Sequence, residues 1–235
     1  MRVLAVIPIR KGSRGVLDKN IRSVGGQPLF AHMLGSVVKS GVADKVIVST
    51  DDDDYASLAR RHGAETPFLR PPELSDGRTR LHYVMRHALE FFDRTGERYD
   101  AVLSALATAP LIRPATVRQL VTRLVESGAD AIGTGSEIGR GHPYLAKTMV
   151  AGDDVVHDFV ALPAGTPRYP RQARPAMYYY NGALFLRRRK LLVEPDDETN
   201  ALGSAPRMLV IPETEGFNID TEEDLDFVRY VLEKK

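Results

Sequence analysis

The chain has 235 residues, a length for one large α/β domain or two small ones, and 43% of them are apolar, enough to bury a core. Charged residues make up 27% and nearly cancel, leaving a formal net charge of +1 that offers no footprint for nucleic acid or an anionic membrane. There is no cysteine, which excludes disulfides, thiolate metal sites and thiol nucleophiles.

The first apolar run, Val3 to Ile7, is compact and bounded by polar residues, and it reads as a fully buried parallel strand. It ends at Arg10-Lys11, too short for the hydrophobic stretch of a signal peptide. No later segment approaches the length of a membrane span, so a cytoplasmic protein is expected. A loop rich in Gly and basic residues follows, from Pro8 to Ile21. Pro28 is placed to open a helix, with Leu29, Met33, Leu34 and Val37 on one face. Val46 to Thr50 reads as a second buried strand, and Asp51 to Asp54 charge the start of another helix, where the dipole favours them.

The alternation continues with a helix over Leu81 to Phe92, a strand over Ala101 to Leu106, an amphipathic helix over Thr116 to Val125 and a strand over Ala129 to Thr134. Such alternation predicts a parallel sheet covered on both faces. Ligands of such sheets bind at the carboxyl ends of the strands, so the loops after Ile7, Thr50 and Leu106 are where chemistry is expected. Between Gly135 and Pro175 the apolar periodicity is short, which predicts an extended arm or lid rather than a second core. Regular structure resumes over Tyr178 to Leu186 and Leu209 to Ile211. A final helix over Glu222 to Leu232 is capped by Thr221 with Asp224 in a near capping box. The run Arg187 to Lys190 reads as a solvated helix start, not a polyanion site.

The strongest chemical signal is Ile7-Pro8-Ile9-Arg10-Lys11-Gly12-Ser13-Arg14-Gly15, followed by Lys19-Asn20. Glycines let a backbone approach a ligand and point N–H groups at it, and the cations Arg10, Lys11, Arg14 and Lys19 surround those amides. A triphosphate needs this pairing of short-range donors with point charges. The loop is not a Walker A sequence, and its bland alternative is a solvated surface loop. Arg70, between prolines in Pro67-Phe68-Leu69-Arg70-Pro71-Pro72, is either simply exposed or stiffly mounted to meet a planar base. Thr108, in Ala107-Thr108-Ala109-Pro110, sits either in a tight turn or where a nucleotide approaches. The arm cations Lys147, Arg168, Arg171 and Arg174 are either solvated or suited to a carboxylate. Asn218 and Asp220 point the same way along an extended segment and offer hard oxygens for Mg²⁺; the alternative is that both cap the last helix.

Together these motifs resemble the cytidylyltransferase family that makes CMP-sialic acids and related CMP-activated acidic sugars. The opening motif and Lys19-Asn20, then Val48-Ser49-Thr50-Asp51-Asp52, Pro67-Phe68-Leu69-Arg70-Pro71, Asn181-Gly182-Ala183-Leu184-Phe185 and Asn218-Ile219-Asp220-Thr221, all match in order. The resemblance implies one Rossmann-like nucleotidyltransferase domain over residues 1–235, with an inserted dimerisation arm at about 139–175 and hence a homodimer. It implies that Arg10, Gly12, Ser13, Lys19, Asn20, Arg70 and Thr108 hold CTP, with Arg10, Lys19 and Asp220 carrying catalysis. Lys147, Arg171, Gln172 and Asn181 would bind the acidic sugar, and Asp220 with Asn218 would hold Mg²⁺. The implied reaction is in-line attack of the sugar's anomeric hydroxyl on the α-phosphorus of CTP, with pyrophosphate leaving and no protein nucleophile.

The chain departs from the family pattern at three places. Asn218 replaces the first of two expected carboxylates, and Lys11 replaces a glycine. Leu106-Ala107-Thr108-Ala109-Pro110 stands where Gln-Pro-Thr-Ser-Pro is usual; it resembles the pseudaminic acid branch, whereas Asn181-Gly182-Ala183 resembles the sialic acid branch. Deoxyoctulosonate or phosphonate transfer, or a CTP-binding protein without turnover, are the competing expectations.

Overall fold

A computed structural model describes residues 1–12, 15–139, 141–150, 152, 154–161, 163–165, 174–193 and 201–234. In chain order the elements are β1 (Val3–Pro8), β2 (Ser23–Val24), β3 (Gln27–Pro28), α1 (Leu29–Ser40), β4 (Lys45–Ser49), α2 (Asp53–Arg61), α3 (Leu81–Arg94) and β5 (Ala101–Ala105). They continue as α4 (Pro114–Ser127), β6 (Ala131–Glu137), β7 (Lys147–Met149), β8 (Val156–Asp158), β9 (Tyr178–Arg188), α5 (Lys190–Val193), β10 (Arg207–Val210) and α6 (Glu222–Glu233).

The central sheet runs β10-β6-β9-β5-β1-β4. β1 pairs parallel with β4 and β5, and β10 pairs parallel with β6. β9 lies antiparallel between β5 and β6. The sheet is therefore mostly parallel, as the alternation predicts. β1 shows why both faces are covered. Val3, Ala5 and Ile7 join Phe30, Met33, Val37, Val117, Leu120 and Leu124 of α1 and α4, while Leu4 and Val6 join Val84, Met85, Leu89 and Phe92 of α3. A period of two feeds one strand into two cores. A third cluster joins Val16, Val24, Leu29, Leu111, Ile219, Leu225 and Val228, tying α6 to the loops after β1 and β5.

The structure shifts several expectations. Pro28 does not open the helix: it ends the hairpin β2–β3, whose turn residues Gly25 and Gly26 have φ of 54° and 81°. Leu29 N donates to Arg22 O at 2.9 Å, so the helix starts one residue later. In the Arg187–Lys190 run only Lys190 is a solvated helix start. Strand alternation sends Arg187 inward, where it is buried, donates to Ala201 O at 2.9 Å and lies over the Phe185 ring. Burial pulls its guanidinium down to about 10. Arg189 grips Asp93 at 2.8 and 2.5 Å, while Lys190 opens α5 as expected, exposed and paired with Asp130 at 2.7 Å.

The arm carries the antiparallel hairpin β7–β8, all of whose residues are exposed. Among the described residues no helix is long and apolar enough to cross a membrane.

Candidate active site

A cleft of about 400 Å³ opens where β1 and β5 end, and Arg10, Lys19, Asn20, Arg70, Thr108 and Asp220 line it. This is the strand-end position that α/β sheets use for ligands. The loop leaving β1 forms one wall. Ile9 N donates to Ser49 O at 2.9 Å, and Asn20 Nδ2 donates to Arg10 O at 3.2 Å, closing the loop on itself. Asp18 sits in the left-handed region at φ 51° and accepts a hydrogen bond from the Tyr55 hydroxyl at 2.7 Å. Burial, followed by that contact with Asp18, raises the Tyr55 phenol well above its ordinary range.

Lys11 turns to the outside of this loop. Its ammonium donates to Asp52 Oδ2 at 2.8 Å and its backbone N–H to Asp51 Oδ1 at 3.2 Å. The hydrogen bond raises Lys11 and lowers Asp52 from their ordinary values. The residue that departs from the family glycine is thus a tether to the start of α2. Arg10 stays on the cleft, and Gly77, at φ 77°, leaves room for its guanidinium: a Cβ there would lie 3.0 Å from it.

Lys19 is buried, and its ammonium donates to Ile219 O and, at 3.0 Å, to Asp220 Oδ1. Gly15 meets the same segment: a Cβ on it would lie 2.2 Å from Asp220 O, so no side chain fits. The two ends of the chain's motif order therefore touch. Asp220 does not cap α6; Thr221 and Asp224 form a full capping box, and Asp220 N donates to Asp224 Oδ2 at 2.9 Å. Its carboxylate side chain is 81% exposed and faces the cleft beside Lys19.

Arg70 is 4% exposed, and its guanidinium is largely consumed by the protein. It donates to Ile9 O at 2.9 Å, Ser49 O at 3.0 Å and Ser75 Oγ at 2.9 Å, with Asp51 at 3.9 Å. Burial lowers its pKa, against the pull of Asp51. It is a buried strap across the ends of β1 and β4 with one edge on the cleft, not an exposed arginine.

Thr108 lines the cleft, and Asn218, which is not among the lining residues, backs it. The Thr108 hydroxyl donates to Asn218 Oδ1 at 2.9 Å, and Ile219 N donates to Thr108 O at 2.9 Å. Asn218 Nδ2 donates to Asn181 O at 2.5 Å and Gly216 O at 3.2 Å. Asn181 lies behind this wall, its amide bonded to Thr134 at 2.7 Å and Ser136 at 3.1 Å. Gly12 has φ 70°, a conformation that favours glycine, although a Cβ there would meet nothing within 4 Å and Gly12 is not among the residues lining the cleft. Lys147 sits on the exposed arm hairpin in an ion pair with Asp158. Ser13, Arg171 and Gln172, with Arg14 and Arg168, lie outside the described residues.

Sequence reasoning missed one wall of this site and one buried carboxylate outside its lining. Ser75, Gly77 and Thr79 form a cleft wall, and the Ser-Asp-Gly turn signal after two prolines marks them. Glu215 is a buried carboxylate that no motif flagged.

A mostly parallel sheet with a cationic cleft at its strand ends suits a nucleotide's phosphates, and the family match makes the class a nucleotidyltransferase. The cytidylyltransferase family profile matches residues 4–192, and the chain belongs to that family of CTP-dependent enzymes. It is 26% identical over 231 residues to the pseudaminic acid cytidylyltransferase of Campylobacter jejuni subsp. jejuni serotype O:2, covering 97% of this chain and 95% of that protein. It is 28% identical over 241 residues to the CMP-N,N'-diacetyllegionaminic acid synthase of the same organism, covering 99% and 96%. In fold it matches a CMP:2-keto-3-deoxy-manno-octonic acid synthetase solved in complex with CTP, with a TM-score of 0.74, 17% identity, and 100% and 99% of the two chains covered.

Proposed function

We propose that this enzyme transfers CMP from CTP to the anomeric hydroxyl of an acidic nine-carbon 2-keto sugar of the sialic, pseudaminic or legionaminic type, releasing pyrophosphate. The observation that carries the reading is the meeting of Arg10, Lys19 and Asp220 on one cleft beside Thr108. End-to-end similarity to enzymes named for such acids supports the choice of acceptor.

Arg10 and Lys19 hold the triphosphate and take up charge as it moves to pyrophosphate, helped by the amides around Gly12 and Ser13. Asn20 and Arg70 fix the nucleoside end, Arg70 by holding Ile9 and Ser49 in place. Lys147, Arg171 and Gln172 bind the acid's carboxylate, and Asn181 supports the wall behind it. No side chain acts as nucleophile; positioning for in-line attack is the main contribution. Among the described residues no three His, Cys, Asp or Glu side chains gather. A Mg²⁺ ion held by one carboxylate plus substrate phosphates fits that donor set, with Asp220 as the protein ligand. Asn218 already shares its amide oxygen with Thr108, leaving it one further lone pair. Bound there, the ion would supply charge neutralisation on the phosphates and acidify the sugar hydroxyl.

The reading extends to one domain over residues 1–235 acting in the cytoplasm, where CTP is available, and to a homodimer formed through the arm. Exposed Met149, Val150, Val155, Val156 and Phe159 on and around the β7–β8 hairpin support a partner surface there. The test is pyrophosphate release from CTP with a panel of pseudaminic, legionaminic, sialic and deoxyoctulosonic acids and a sugar phosphate. Release with a nonulosonic acid supports the reading; release only with a sugar phosphate overturns it.

A further inference from the structure

The segment from Ile211 to Asp220 carries Asn218 and Asp220, and it is held by contacts beyond the cleft. Ile211 N donates to Gly135 O at 2.8 Å, which extends the pairing of β10 with β6. Glu215 is 5% exposed, and its carboxylate accepts from Arg113 N at 3.1 Å, Arg113 Nε at 2.7 Å, Arg113 Nη2 and the Thr116 hydroxyl. Arg113 precedes α4 and Thr116 lies in its first turn, at the end of the loop that carries Thr108. Gly216 lies so close to Asn181 that no side chain fits there: a Cβ would lie 2.0 Å from Asn181 Nδ2.

We infer that Glu215 is a positioning residue for the transfer reaction: it locks the 211–220 segment to the start of α4, so that Thr108 and Asp220 form one rigid wall facing Lys19. The distances support this division of labour. Glu215 grips the α4 end of the Thr108 loop, and Asn218 and Ile219 grip its cleft end through Thr108 at 2.9 Å each. Two separated attachments fix an orientation where one would leave a pivot. The partner Arg113 keeps 62% of its side chain exposed, so only the carboxylate is buried, and an ion pair with a solvated partner contributes little stability of its own. A carboxylate with four donors adds direction instead.

The inference rests on the proposed function for its kinetic readout only; amide exchange tests it independently. In Glu215→Gln, the Ile219 amide should exchange with solvent at least about tenfold faster, while amides of β1 keep their wild-type rates. Turnover should fall about tenfold with KM for CTP changed by a smaller factor, about threefold, because the contacts that hold Arg10 and Arg70 do not run through this segment even though Lys19 meets it. Wild-type exchange at Ile219, unchanged turnover, or faster exchange throughout β1 would each overturn the inference. If Glu215→Gln does not fold, Thr116→Val removes a single donor and should give the same pattern with a smaller amplitude. A wild-type enzyme inactive with every acid would sink the functional reading, and the exchange result would still decide the role of Glu215.

Discussion

The loop after β1 and the arm after β6 both mix cations with Gly and Pro, yet their cations meet opposite surroundings. In the loop, Lys19 is buried against Ile219 and Asp220, Lys11 is tied to Asp52, and Asn20 closes on Arg10. In the arm, Lys147 pairs with Asp158 on a hairpin whose residues are all exposed. The difference separates charges fixed within the fold from an ion pair left open to solvent. Charges fixed by a rigid frame cost no reorganisation when the reaction moves charge. An exposed ion pair is worth little until a partner or substrate removes its water.

The largest effect that tests this contrast is at Lys19. Lys19→Ala should cut turnover by about 10²–10³, as removal of one preorganised donor does elsewhere, and should cost about 1–3 kcal/mol of stability because Ile219 O loses its side-chain donor. Near wild-type activity would remove the phosphate role. Next is Asn218→Asp, which restores the family's carboxylate but removes the donor facing Asn181 O and Gly216 O. It should destabilise the protein by about 1–3 kcal/mol in denaturant titration. An unchanged midpoint would mean the wall tolerates a second carboxylate. Asp220→Asn should weaken activation by Mg²⁺ yet leave metal-free CTP binding no weaker, because it frees Lys19 from its pair; calorimetry with CTP alone checks this. The smallest effect is in the arm. Lys147→Ala should change stability by less than about 0.5 kcal/mol and raise KM for the acid without moving KM for CTP. A shift confined to CTP would place Lys147 in the nucleotide half.

The alternation of Val3 to Ile7, Val46 to Val48 and Ala101 to Ala105 with three helical periods made the parallel sheet readable, because burial on both faces leaves uninterrupted apolar runs. The β2–β3 hairpin was not readable, since two-residue strands carry no period and Pro28 imitates a helix start. Arg187 was misread for a related reason: a run of four cations looks solvated until the strand's alternation is followed to its end. In the Gly-rich loop, cations and glycines close in sequence marked Arg10, Lys19 and Asn20 as ligand candidates, and these line the cleft, whereas Lys11 turns away to Asp52. Glu215 was not legible, because its meaning depends on Arg113 and Thr116, about a hundred residues away. Arg70 fell between: its proline mount marked it, but only the fold shows its donors spent on Ile9, Ser49 and Ser75.

The most direct test of the account is phosphorus NMR of the enzyme with CTP, Mg²⁺ and pseudaminic acid. The account predicts that the CTP signals give way to pyrophosphate and a single phosphodiester resonance of a CMP-sugar, in equal amounts. Consumption of CTP only when a sugar phosphate replaces the acid, with a diphosphate-linked product, would contradict it.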